Sequence, residues 1–110
     1  MPDSTVAFLA LADLPVGSMR TCRLQDHEIL VCRTKDGIFA LDNICTHALA
    51  RLSEGRLRGT RVICPLHGAS FDVRDGHPTG PPANRALATH RAQVVGDRVE
   101  ITLSPHERPR

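Results

Sequence analysis

Short runs of apolar and β-branched residues alternate with turn-forming residues along most of this chain. Runs of this length, bounded by Gly, Pro, Asp and Asn, are typical of strands rather than helices. The pattern predicts strands at residues 6–11, 19–24, 28–33, 38–41, 61–64, 70–74, 86–95 and 98–103. The second and third are expected to form a hairpin, as are the last two across Gly96 and Asp97. The sequence therefore predicts an all-β domain.

Two segments do not follow the strand pattern. Residues 48–60 carry leucines among charged residues, and Gly55 and Gly59 interrupt any helical period, so a compact loop is expected there. Residues 78–82 contain three prolines, which lack the N–H group that a central strand requires. We predict a stiff loop for this segment. His90 shares a strand face with apolar residues and is expected to be structural.

The length of 110 residues predicts one domain, spanning residues 1–104, and a polar, proline-containing tail at residues 105–110. The formal net charge of +2 is too small to indicate a nucleic-acid-binding protein. The longest apolar run, residues 6–12, is too short to cross a bilayer, and no signal-peptide pattern precedes it. We therefore expect a cytoplasmic protein with no membrane partner.

Four residues in two short groups carry the clearest chemistry: Cys45 and His47, separated by one residue, and Cys64 and His67, separated by two. A thiolate and an imidazole held close together in each of two loops form a typical iron or zinc site. A single zinc ion with two Cys and two His ligands is one possibility. The mixing of Cys with His in each half instead favours a binuclear iron cluster, with two thiolates on one iron and two imidazoles on the other.

With these ligands in view, the chain resembles the Rieske family of [2Fe–2S] proteins. The resemblance rests on five motifs: Cys45-Thr46-His47, Leu52-Ser53-Glu54-Gly55, Cys64-Pro65-Leu66-His67-Gly68, Phe71-Asp72-Val73 and Gly80-Pro81-Pro82. It implies a Rieske-like antiparallel β-sandwich with an inserted, loop-built cluster-binding subdomain at about residues 43–83. It also implies that Cys45 and Cys64 bind the buried iron, that His47 and His67 bind the outer iron, and that the loop at residues 80–82 covers the cluster.

Four positions near the ligands distinguish this chain from one branch of that family. Rieske proteins of respiratory and photosynthetic complexes resemble it but carry a disulfide where this chain has Ala50 and Leu66. They also carry a Ser and a Tyr, whose hydroxyls donate to sulfur, where this chain has Ala69 and Phe71. Fewer hydrogen bonds to sulfur disfavour the more negative reduced state. We predict a reduction potential of about −150 mV, at the low end of the Rieske range.

The resemblance implies a soluble one-electron carrier and not an enzyme. Such a carrier resembles the ferredoxin component of bacterial aromatic-ring dioxygenases, and would pass electrons from an NAD(P)H-dependent flavoprotein reductase to a terminal oxygenase. We expect a monomer that docks transiently near His47 and His67, with the loops at residues 48–53 and 78–83 around them. Two alternatives remain open: a permanent Rieske subunit of a larger complex such as nitrite reductase, and a binding module stabilised by a structural zinc ion.

The other two cysteines, Cys22 and Cys32, lie near opposite ends of the first predicted hairpin. They could be neighbours on adjacent strands, but reducing conditions in the cytosol favour two free thiols over a disulfide.

Overall fold

Ten strands make up the fold in the computed structural model, which describes residues 6–46, 50–66, 68–81 and 85–104. They are β1 (Val6–Ala10), β2 (Met19–Leu24), β3 (His27–Thr34), β4 (Gly37–Asp42), β5 (Arg56–Arg58), β6 (Arg61–Ile63), β7 (Ser70–Asp72), β8 (Pro78–Gly80), β9 (Thr89–Val95) and β10 (Arg98–Thr102). Single 3₁₀ turns form at Leu11–Asp13 and Leu52–Glu54. The all-β prediction is confirmed.

The larger sheet has six antiparallel strands in the order β1-β10-β9-β4-β3-β2. Its two edge strands, β1 and β2, also lie close to each other, so the sheet curls into a nearly closed barrel. The predicted hairpin of β2 and β3 forms, with Gln25 in the left-handed conformation (φ 55°) at the turn. The predicted β9–β10 hairpin forms across Gly96.

The smaller sheet has four strands in the order β5-β6-β7-β8. Two of them differ from the sequence-based expectation. β5 lies within the predicted loop, and β8 lies within the segment predicted to be a stiff loop. β8 is at the edge of the sheet, where a strand that contains proline can still pair on one side. The prediction that residues 78–82 form only a loop is therefore wrong.

Two hydrophobic cores lie on either side of β3. Leu30 and Cys32 of β3 pack in the core that also holds Cys45, Cys64 and the smaller sheet. The alternate residues of β3 pack inside the barrel with Val99 and Ile101 of β10. Because β3 is buried on both faces, it holds the core that contains Cys45 and Cys64 against the barrel.

Cys22 and Cys32 are not neighbours. Cys22 pairs with Ile29 and Cys32 pairs with Met19, and the two thiols belong to different cores. Both are free, and burial raises the pKa of Cys32 to about 12. The register therefore excludes the cross-strand disulfide that the sequence left open.

His90 is buried and ties the last strands to β4. Its Nε2 lies 2.8 Å from Asp42 Oδ1, and its Nδ1 accepts a hydrogen bond from the Ser104 N–H at 3.2 Å. This geometry fits the predicted structural role.

In the described part of the chain, no helix is long and apolar enough to cross a membrane.

Candidate metal centre

Two loops of equal length carry the predicted ligands, and each begins with a cysteine. The first is closed by the isolated bridge between Ile44 and Arg51, and the Cys45 N–H donates to the Ala50 carbonyl at 2.9 Å. The second is closed by the pairing of β6 with β7, and the Cys64 N–H donates to the Ala69 carbonyl at 2.6 Å. In each loop, therefore, the N–H of the cysteine donates to the carbonyl of the residue five positions later.

The two cysteine thiols lie side by side beneath these loops. Cys45 is 3% exposed and Cys64 is 2% exposed. Burial raises the pKa of the Cys64 thiol, and the adjacent Cys45 thiol raises it further, whereas the Leu66 N–H that donates to the Cys64 sulfur lowers it. Two thiolates this close and this buried need a neutralising cation. The thiols therefore fit one iron of a [2Fe–2S] cluster, with the Leu66 amide as a donor to sulfur.

His47 and His67 lie outside the described residues, as do Ala48, Leu49 and residues 82–84. Across residues 6–46, 50–66, 68–81 and 85–104, no group of three or more His, Cys, Asp or Glu side chains could hold a metal. The structure thus brings Cys45 and Cys64 together, and the four-ligand set remains a prediction.

The residues that suggested a low potential lie in the same core. Ala69 and Phe71 are fully buried beside the cysteines, and neither side chain can donate a hydrogen bond to sulfur.

Ala50 and Leu66 both line one groove between the two loops, with a volume of about 400 Å³. Ile44, Arg51, Glu54 and Pro65 complete its lining.

Asn43 is a site residue that the sequence analysis did not find. It is fully buried immediately before the first loop, and its Oδ1 accepts from the Ser53 N–H at 2.8 Å while its Nδ2 donates to Ser53 Oγ at 3.0 Å. Its own carbonyl accepts from the Leu52 N–H at 2.7 Å. Asn43 therefore holds the Leu52–Glu54 turn against the loop that starts at Cys45. An Asn after a strand usually indicates a turn, so the sequence gives no signal for this clamp.

Replacing Asn43 by alanine should destabilise the cluster-binding part of the chain. The half-buried Ser53 N–H would lose its acceptor, which costs about 1 kcal/mol. We expect a lower urea midpoint and faster loss of iron from the loaded protein. Ser53→Ala should have a smaller effect, because the bond from its N–H to Asn43 remains. Equal stability of Asn43→Ala and the wild type would contradict this assignment.

Comparison with known proteins agrees with this geometry. The family model of the Rieske [2Fe–2S] domain matches residues 4–91. The chain is 34% identical over 104 residues to the "Naphthalene 1,2-dioxygenase system, ferredoxin component" of Pseudomonas aeruginosa, covering 94% of this chain and 100% of that protein.

Two solved structures that match nearly the whole chain are also ferredoxins. The ferredoxin of carbazole 1,9a-dioxygenase from Nocardioides aromaticivorans IC177 superposes with a TM-score of 0.86 at 30% identity, covering 92% of this chain and 100% of that one. A ferredoxin in a complex with the reduced oxygenase of carbazole 1,9a-dioxygenase has a TM-score of 0.83 at 31% identity, covering 91% of this chain and 97% of that one. A structure titled "putative nitrite reductase NADPH (small subunit) oxidoreductase protein" shares the fold alone, with a TM-score of 0.74 at 22% identity.

The predicted Rieske-like fold and [2Fe–2S] cofactor are confirmed by these relatives, and so is the role of an electron-transfer component rather than an enzyme. The chain belongs to the Rieske [2Fe–2S] family, as a ferredoxin that carries electrons.

Proposed function

We propose that this ferredoxin carries single electrons from an NAD(P)H-dependent flavoprotein reductase to a terminal aromatic-ring dioxygenase. The observation that carries the proposal is the pair of buried, adjacent thiols of Cys45 and Cys64, each at the start of an equivalent loop. The relatives that match nearly the whole chain are ferredoxin components of dioxygenase systems, which supports the choice of partners.

The cluster ligands in this proposal are Cys45, His47, Cys64 and His67. The two cysteines bind the inner iron, and the two histidines bind the outer one. When bound, a [2Fe–2S] cluster takes up and releases one electron. The protein holds the thiolates in fixed loops, excludes water from them, and supplies the Leu66 amide as a donor to the Cys64 sulfur.

The electron acceptor docks at the loops. The groove between them exposes Leu66 (46%) and Ile44 (36%), while Arg51 beside it is paired with Glu28 at 3.1 Å. Such a small, mainly apolar surface suits a transient contact between redox partners. The ferredoxin works as a monomer that binds and leaves each partner in turn.

The ligand and docking assignments can be tested by replacing His67 with alanine. Loss of this imidazole should abolish electron transfer from reductase to oxygenase, measured as substrate-dependent oxidation of NAD(P)H in the reconstituted system. His77→Ala is the matched control, because the His77 side chain is 71% exposed in a turn with Asp75. Transfer at the wild-type rate by His67→Ala would contradict the assignment.

The alternative role, a permanent subunit of a complex such as nitrite reductase, is less well supported. Likeness to such a subunit is confined to the fold at 22% identity, whereas a dioxygenase ferredoxin matches at 34% identity.

A further inference from the structure

Thr46 links the first ligand loop to a distant part of the chain. It lies between Cys45 and His47 in the sequence, and its side chain is half-buried. Its Oγ1 donates a hydrogen bond to the Arg85 carbonyl at 2.8 Å. Threonine hydroxyls in loops usually bond to backbone a few residues away. This bond instead joins two segments that are 39 residues apart, so it holds tertiary structure rather than a local turn.

Arg85 lies shortly after the Gly80-Pro81-Pro82 motif, which is expected to cover the cluster. We call residues 85–87 the exit segment. Leu87, at its end, is 3% exposed and packs in the core that contains the two cysteines, and its N–H is bonded to the backbone between β7 and β8. Arg85, at its start, is exposed. The Thr46 hydroxyl therefore fixes the end of the exit segment that burial does not hold.

The second ligand loop is tied to the chain on the other side of the same motif. β7 starts directly after this loop closes at Ala69, and it pairs with β8 through Ser70 and Gly80. The hydroxyls of Ser70 and Thr79 are also in hydrogen-bond contact across the two strands. The chain before the motif is thus fixed to the second ligand loop, and Thr46 fixes the chain after it to the first.

Loss of the Thr46 bond should be felt locally. The barrel core lies on the other face of β3 and contains neither Thr46 nor the exit segment. A hydrogen bond of ordinary strength corresponds to about a fivefold change in an equilibrium. The change should therefore appear as more frequent local opening of the exit segment, while unfolding of the barrel stays as it is.

We propose that Thr46 is a positioning residue for the cluster, whose hydroxyl fastens the first ligand loop to the exit segment and keeps water from the buried thiolates. This inference rests on the proposed function, in which Thr46 is flanked by one ligand of each iron. Water that reached the thiolates would stabilise the more negative, reduced state. The bond to Arg85 therefore lowers the reduction potential, in the same direction as the lack of donors at Ala69 and Phe71.

The test compares two variants of the cluster-loaded protein: Thr46→Val, which keeps the branched shape without the hydroxyl, and Thr46→Ser, which keeps the hydroxyl. Trypsin cleaves after arginine, and the carbonyl of the bond after Arg85 is the one that Thr46 holds. Cleavage there should be about fivefold faster in Thr46→Val, because proteolysis follows the population of the open form. Its midpoint potential should be more positive than that of the wild type. Thr46→Ser should match the wild type in both measurements.

Two controls separate this effect from a general loss of stability. Cleavage after Arg23, which lies within β2, requires opening of the barrel and should not change in Thr46→Val. Thr21→Val makes the same substitution at an exposed position on β2 and should leave the cleavage rate at Arg85 and the potential at their wild-type values.

Four results would each overturn the inference: a wild-type rate of cleavage after Arg85 in Thr46→Val, a wild-type potential in that variant, equal acceleration after Arg23 and Arg85, or failure of Thr46→Ser to restore both values. If the wild-type protein itself passes no electrons to an oxygenase, the proposed function fails instead, and the comparison of the two Thr46 variants still decides the role of the hydroxyl.

Discussion

Replacing Gly55 by alanine is expected to destabilise the loaded protein by about 3 kcal/mol and to weaken retention of the cluster. A methyl group at Gly55 would overlap the carbonyl oxygen of Ile63 and crowd the Pro65 ring, whose Cδ lies 3.2 Å away. These atoms flank Cys64 on both sides, and the Ile63 oxygen belongs to the backbone, so relief of the overlap must move the cysteine. The measurement is denaturant unfolding of the loaded protein together with its iron content.

Gly80→Ala is the matched control for this substitution. Among the described residues, no atom lies within 4 Å of a methyl group at Gly80, and the Gly80 backbone is not in the left-handed region. Its stability should stay within about 0.5 kcal/mol of the wild type. If Gly55→Ala were as stable and as rich in iron as Gly80→Ala, the close packing of the Leu52–Glu54 turn against Cys64 would not matter for the site.

Replacing Cys64 by alanine is expected to abolish cluster binding. The thiol is buried beside that of Cys45, whereas Cys32, on β3, is paired with Met19 and Cys22 belongs to the other core. The purified variant should be colourless, hold no acid-labile sulfide, and unfold at a lower denaturant concentration, because metal binding is coupled to folding.

Cys22→Ala provides the comparison for Cys64→Ala. Cys22 is half-buried in the barrel core, and its removal should leave iron and sulfide at wild-type amounts. A full complement of iron and sulfide in Cys64→Ala would contradict the assignment of this cysteine as a ligand.

Much of the fold could be predicted from local pattern. β2 has its predicted bounds, and β3, β4 and β10 agree with theirs to within one residue at each end, because their alternation and turn residues are clear. β5 was missed because three residues flanked by glycines give too little periodicity. β8 was missed because proline excludes a central strand but not an edge strand, and the sequence does not show where a strand lies in its sheet.

The site could be predicted from the sequence where the residue types themselves indicate the chemistry. Cys45 and Cys64 stood out by their spacing from histidines, and the structure brings their thiols together. Asn43 acts through Ser53 and Leu52, which follow the first loop, and Gly55 acts through Ile63 and Pro65, which flank Cys64. Contacts of this kind are not visible before the strands are paired.

The most direct test of the central claim is an anaerobic potentiometric titration of the purified chain, followed by its visible spectrum. A ferredoxin whose cluster is held by Cys45, His47, Cys64 and His67, with no side-chain donor at Ala69 or Phe71, should bleach in one reversible one-electron step with a midpoint of about −150 mV. A chain with no redox transition, as a zinc site would give, would contradict the account, and a clearly positive midpoint would contradict its low potential.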